Sequence, residues 1–147
     1  MRATLARIQA ATPGELGLLT EAVLALGVAS FVVALLPFRK VAALARLPGG
    51  TPPAQAAQAQ AIRSVRWAVS ASARRVPWRA KCIEQGFAAQ WMLRRRRVPA
   101  VLHYGIARRD GDLAAHVWVR SGANDVIGCE NLADFAEVAQ FPPAAAR

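Results

Sequence analysis

Two residues in this chain can do nucleophilic chemistry together, Cys82 and His116. The attacking species is a thiolate rather than a thiol. Pro77 breaks a preceding helical run, and Ile83, Phe87 and Trp91 then recur at helical spacing. The spacing predicts a helix from about Lys81 to Arg96, with Cys82 in its first turn. Unpaired N–H groups and the positive end of the helix dipole favour a thiolate there. Arg79 and Lys81 add charge of the same sign. An imidazole beside such a thiol takes its proton and later returns it to a leaving amine. A third group has to hold that imidazole in one tautomer. The segment after His116 offers Asp125, in a turn, and Glu130, which follows the run VIGC and is expected across from His116. Glu130 stands slightly ahead, and the spacing leaves both open.

The other candidates have narrower roles. Cys129 lies on a short strand with no helix end to activate it, and His103 alternates with core residues; both read as structural. Of the four tryptophans, Trp78 and Trp118 neighbour the proposed catalytic elements and are the candidates for a substrate groove wall. Gln90 is a candidate side chain for an oxyanion site beside the Cys82 N–H. With only two histidines, two cysteines and neither C-x-x-C nor H-E-x-x-H, no metal site and no cofactor are expected.

The elements that must position these residues fall into two halves. Residues 1–47 are mostly apolar. The run from Leu16 to Leu36 carries one charge, Glu21, and stops at Pro37. Its uncharged part is short of the roughly 20 residues a spanning helix needs. A helix buried on most sides is expected, with a membrane-associated helix as the alternative, because Arg39, Lys40 and Arg46 form a basic flank. Glu15, Glu21 and the lack of an A-x-A site argue against a signal sequence. A second helical piece runs to about Ala45. Residues 48–55 form a Gly/Pro loop. Residues 56–147 form the expected catalytic core, and the whole chain is one domain. Within that core, Ile62, Val65, Val69 and Ala73 mark a helix over 56–74. Alternating segments at 100–108 and 113–120 flank an Asp110-Gly111 hairpin turn, and a third short strand covers 126–130. The tail from Leu132 to Phe141 reads as one more short helix.

The chain has 147 residues and a formal net charge of +10, with 54% hydrophobic and 19% charged residues. That composition excludes a disordered chain. The positive field attracts acidic peptides, polyanions or anionic lipid without choosing among them. The run Arg94–Arg97 reads as a solvated helix cap. The basic residues are scattered over helix ends rather than along one groove-reading helix, so no nucleic-acid partner is expected.

The ordered series Cys at a helix head, L-R-R-R, L-H-x-G-I and A-H-x-W-V, over Pro77 to Phe135, resembles the leader-peptidase part of lasso-peptide maturation machinery. The L-P-F-R ending of the hydrophobic helix, at Leu36 to Arg39, is similar too. That family belongs to the transglutaminase-like, papain-related cysteine peptidases. The resemblance implies an α+β fold, with a helical N-terminal part packed on a small antiparallel sheet. It implies Cys82 as nucleophile, His116 as base and acid, and an acidic third residue, Glu130 or Asp125. Where the family has C-L-x-x-A, this chain has C-I-E-Q-G, which puts Glu84 near the nucleophile. The implied activity is removal of the leader from a ribosomally made precursor, before an asparagine-synthetase-like cyclase closes the ring. The implied location is the bacterial cytoplasm, with possible membrane contact through 16–38. A leader-recognition protein of winged-helix type is expected as a separate chain, and binding the leader as an added strand along a sheet edge fits that recognition. The alternative reading is a degenerate transglutaminase-like module that binds a peptide or docks on a membrane.

Overall fold

A computed structural model describes residues 12–46 and 50–143. Its elements are α1 (Pro13–Leu35), α2 (Phe38–Ala45), α3 (Gln55–Ala73), α4 (Cys82–Arg95), β1 (Val101–Arg109), β2 (Asp112–Ser121), β3 (Asn124–Ile127), a 3-10 turn (Leu132–Asp134) and β4 (Ala136–Phe141). The architecture is α+β: the helices pack on a small, open antiparallel sheet of order β3-β2-β1-β4. The expected loop at 48–55 lies partly outside the described residues.

Local chemistry sets the helix starts. Thr12 caps α1, accepting from the Glu15 N–H at 3.3 Å, while the Glu15 carboxylate accepts from the Thr12 N–H at 2.8 Å. This reciprocal capping, with Pro13 in the first turn, satisfies N–H groups that the helix leaves unpaired. Pro37 ends the apolar run and caps α2. Glu84 plays the same part in α4, accepting from the Lys81 N–H at 2.9 Å.

α1 is not enclosed on most sides, as its hydropathy suggests. Ala22, Leu26 and Ala29 form its buried face, against α3 and α4. On the opposite face Leu24, Val28, Phe31 and Leu35 are each more than half exposed. Apolar composition on both faces therefore hides a one-sided packing. Across the buried side, Glu21 receives two bonds from the Arg96 guanidinium, at 3.0 and 2.7 Å. The hydrogen bond from Arg96 holds the Glu21 carboxyl below its usual range, against the opposing effect of burial.

The sheet presents α4 with one face. Val117 and Val119 of β2, Leu102 of β1 and Phe141 of β4 lie on that side by register, since Leu102 pairs with both Val119 and Phe141. All four are buried. Gly86 makes the close approach possible: a Cβ there would lie 2.7 Å from Val117 Cγ1 and 3.4 Å from Leu102 Cδ1. Phe87, Met92 and Leu93 complete the helix side of this core.

Two elements differ from the sequence expectation. The third strand stops at Ile127 rather than Glu130, because Gly128 adopts φ +71°, outside the extended region. The tail is not a helix. After the 3-10 turn, Ala136–Phe141 pairs with β1 as an edge strand, with Leu102 opposite Phe141 and His103 opposite Gln140. Its apolar spacing suits either conformation, and the partner strand, some 35 residues earlier in the chain, decides.

Candidate active site

Cys82 is the first residue of α4 and half-buried against the core. It is a free thiol. Around it the chain has arranged opposite charges. Glu84 is almost fully buried and sits 3.4 Å from Arg79 Nε, in addition to its bond to the Lys81 N–H. Glu84 thus caps the helix that carries the thiol, and Arg79 offsets the carboxylate charge. Glu84 stands at the acidic position of a helix N-terminal capping box, but Lys81 lacks the Ser or Thr oxygen that completes the signature, so the sequence left this role open. Gln85 donates to the Ala80 carbonyl at 2.7 Å, and Ser30 of α1 donates to the Arg79 carbonyl at 2.7 Å. The approach to Cys82 is therefore tied both to its own helix and to α1.

His116 lies on β2 with its ring on the face turned away from α4, since it alternates with Val117 and pairs with Gly105. Its Nε2 is 2.7 Å from the carbonyl oxygen of Gly128. The ring is flanked by Phe135, with centroids 5.0 Å apart, and by Trp118, at 6.1 Å. Trp118 is buried and stacks on its other side against His103, at 5.4 Å and within 3° of parallel. Gly105 leaves room for that indole: a Cβ there would lie 2.7 Å from it. His103 Nδ1 in turn faces Glu137 Oε2 at 3.0 Å. The guanidinium of Arg109 covers the outer side of Phe135 at 5.4 Å. Both histidines of the chain thus belong to one aromatic ladder on the open face of the sheet.

The structure does not join the expected catalytic groups into a hydrogen-bonded triad. Among the described residues, Cys82 has no hydrogen-bond partner, and His116 bonds to Gly128. The nearest register between their elements runs through Gly86, one helical turn beyond Cys82, which rests on Val117 beside His116. Asp125 bonds to Arg120 Nε at 2.8 Å, on β3 opposite β2. Glu130 is exposed, past the end of β3, and not on a strand. Trp78 is partly exposed and lies over α1, with Gly27 beneath it. Gln90 is buried two turns along α4 from Cys82, about 12 Å by helical rise. Its amide nitrogen serves the carbonyls of Ala45, Ala100 and Phe141 at 3.2, 3.2 and 2.8 Å, which pins α2, the β1 approach and β4 to one helix.

Cys129 differs from Cys82 in its place in the fold, past the end of β3 rather than at a helix start. Its sulfur donates to the carbonyls of Val119 and Ile127 at 3.4 and 3.5 Å. Burial, with the nearby Asp125 charge, pushes its thiol above the ordinary range. Both effects favour the protonated thiol. Among the described residues no three His, Cys, Asp or Glu side chains converge as metal ligands would.

Compared with known protein families, residues 22–140 match the model of the transglutaminase-like superfamily. No curated protein and no solved structure matches at a significant level. The match runs from the buried face of α1 through α4 and the whole hairpin to β4. It therefore covers the elements that carry Cys82 and His116 and most of the chain. The protein belongs to the transglutaminase-like superfamily.

Proposed function

We propose that the protein is a cysteine peptidase that removes the leader from a lasso-peptide precursor. The observation that carries this reading is Cys82 as the first residue of α4 in a transglutaminase-like chain, with the A-H-x-W-V strand following. In the reaction the Cys82 sulfur attacks the carbonyl at the leader–core junction, and His116 accepts the thiol proton. The same proton then goes to the departing core nitrogen as the C–N bond breaks. Water hydrolyses the resulting thioester, releasing the leader carboxylate and restoring the thiol. The core leaves with a free N-terminal amine, the group a ring-closing cyclase consumes. A winged-helix recognition protein delivers the precursor, and an asparagine-synthetase-like cyclase takes the product.

The test is incubation with precursor and recognition protein, read by mass. The expected result is a single cut with the intact chain and none with Cys82→Ala, while precursor binding survives. Full cleavage by that variant would sink the reading.

A second reading, docking on a membrane surface, is favoured by a specific feature. α1 is 23 residues long and apolar enough to cross a bilayer by length and composition. Its inner face is committed to the core, so lying along an interface suits it better than spanning. Leu24 and Val28 of the exposed stripe line a groove of about 480 Å3 with Trp91 and Arg95, Phe31 and Leu35 continue the stripe, and Arg39 and Lys40 follow at its end. Apolar side chains with basic neighbours suit anionic lipid. Co-sedimentation with phosphatidylglycerol vesicles, lost in Phe31→Glu, tests this reading; equal sedimentation with neutral vesicles or none removes it.

A further inference from the structure

His116 already has an orienting partner, and it is not a carboxylate. A carbonyl oxygen only accepts, so the 2.7 Å contact with Gly128 requires the proton on Nε2 and, in the neutral ring, leaves the lone pair on Nδ1. We infer that the Gly128 carbonyl is the positioning group for His116, fixing its tautomer and making Nδ1 the basic nitrogen, and that neither Asp125 nor Glu130 completes the site. The catalytic meaning of this rests on the peptidase reading above; the tautomer does not.

Three independent features hold the arrangement. Gly128 has φ +71°, and a Cβ there would lie 2.6 Å from the Val117 carbonyl and 3.3 Å from Trp118 Cα. Only glycine fits, so the chain sets this carbonyl against β2 with little freedom. The imidazole is wedged between Trp118 and Phe135, which restrict its rotation. The two candidate acids are placed elsewhere: Asp125 holds Arg120 at 2.8 Å, and Glu130 is exposed beyond the strand. A carbonyl does part of what an acid does in a triad. It selects one tautomer and aims the ring, and it meets the imidazolium with a dipole instead of a full charge. This chain therefore relies on geometry where a carboxylate would add charge.

The deciding measurement is nitrogen-15 NMR of the histidine rings in the full chain, about 1.5 pH units above the ordinary imidazole titration. His103→Gln assigns the two rings. The expected result is His116 with Nε2 protonated and Nδ1 bare, unchanged in Asp125→Asn and in Glu130→Gln. A proton on Nδ1, or a tautomer change in either carboxylate variant, overturns the inference. Iodoacetamide labelling of Cys82, read by peptide mass, supplies the functional readout. Asp125→Asn and Glu130→Gln are expected to label within about twofold of the natural chain, and His116→Gln about tenfold more slowly. A tenfold fall in either carboxylate variant also overturns it. Gly128→Ala is expected to fall with His116→Gln; should that variant not fold, the ring signals of the unsubstituted chain still decide. If His116→Gln labels as fast as the natural chain while the tautomer is as expected, the peptidase reading fails and the Gly128 assignment stands.

Discussion

The two faces of the sheet solve different problems with the same strand. Along β2, Val117 and Val119 point to α4, where Gly86 lets helix and strand approach closely. One residue away on either side, His116 and Trp118 point to the other face, where among the described residues their ring and charge neighbours are His103, Phe135, Glu137 and Arg109, with Gly105 and Gly128 leaving them room. Because side chains alternate strictly, the first face fixes the register of the second. An imidazole can be aimed on an open face because its strand is locked from behind.

That comparison can be broken most severely at Trp118. If the open face is an ordered ladder, Trp118→Ala removes a buried indole and both histidine stacks. It is expected to cost about 4 kcal/mol in urea unfolding, whereas a loss near that of a surface substitution would make the ladder mere decoration. On the closed face Gly86→Val is expected to destabilise by about 2–3 kcal/mol through overpacking against Val117. Adding Val117→Ala should return part of that loss, and a strictly additive double variant would mean that the helix–strand contact is not where the strain falls.

A smaller difference separates the ion pairs of the two sides. Glu21, on the helical side, has its carboxyl held down by Arg96. A depressed folded value contributes stability at pH above the ordinary carboxyl range, and that contribution disappears as pH falls through the folded value. Glu21→Gln is therefore expected to cost about 1–2 kcal/mol at neutral pH and little once the pH has fallen below the folded value. A pH-independent difference between the two chains would contradict the assignment. Glu137 is half exposed beside His103 on the open face. Glu137→Gln is expected to cost about 0.5 kcal/mol or less, and a larger loss would show that the ladder depends on its outermost charge.

How much of this could be read beforehand varies with how local the cause is. The α+β architecture, the helix opening at Cys82 and the Asp110-Gly111 hairpin were legible, because a proline, an apolar period and a turn dipeptide each act within a few residues. The capping role of Glu84 was not legible, because Lys81 stands where the signature has Ser or Thr. Glu130 was expected on a strand because VIGCE has strand composition, but the positive φ of Gly128 ends the strand first. β4 was hidden because pairing with β1 is a long-range choice that the apolar spacing of the tail does not record. The one-sided burial of α1 was hidden for another reason: both of its faces are apolar, so no polar stripe marks which one meets α3 and α4. The partner of His116 was hidden because a backbone carbonyl leaves no letter in the sequence.

The hydrogen bond from Ser30 to the Arg79 carbonyl joins the middle of α1 to the segment just ahead of Cys82. Trp78, on that same segment, rests over Gly27 of the same helix. The outer surface of α1 and the thiol are thus two ends of one short mechanical linkage, even though some fifty residues of chain separate them. A body that settles on that surface, whether lipid or protein, would press on the strap that leads into Cys82. Contact on one side would reach the thiol through the same four residues.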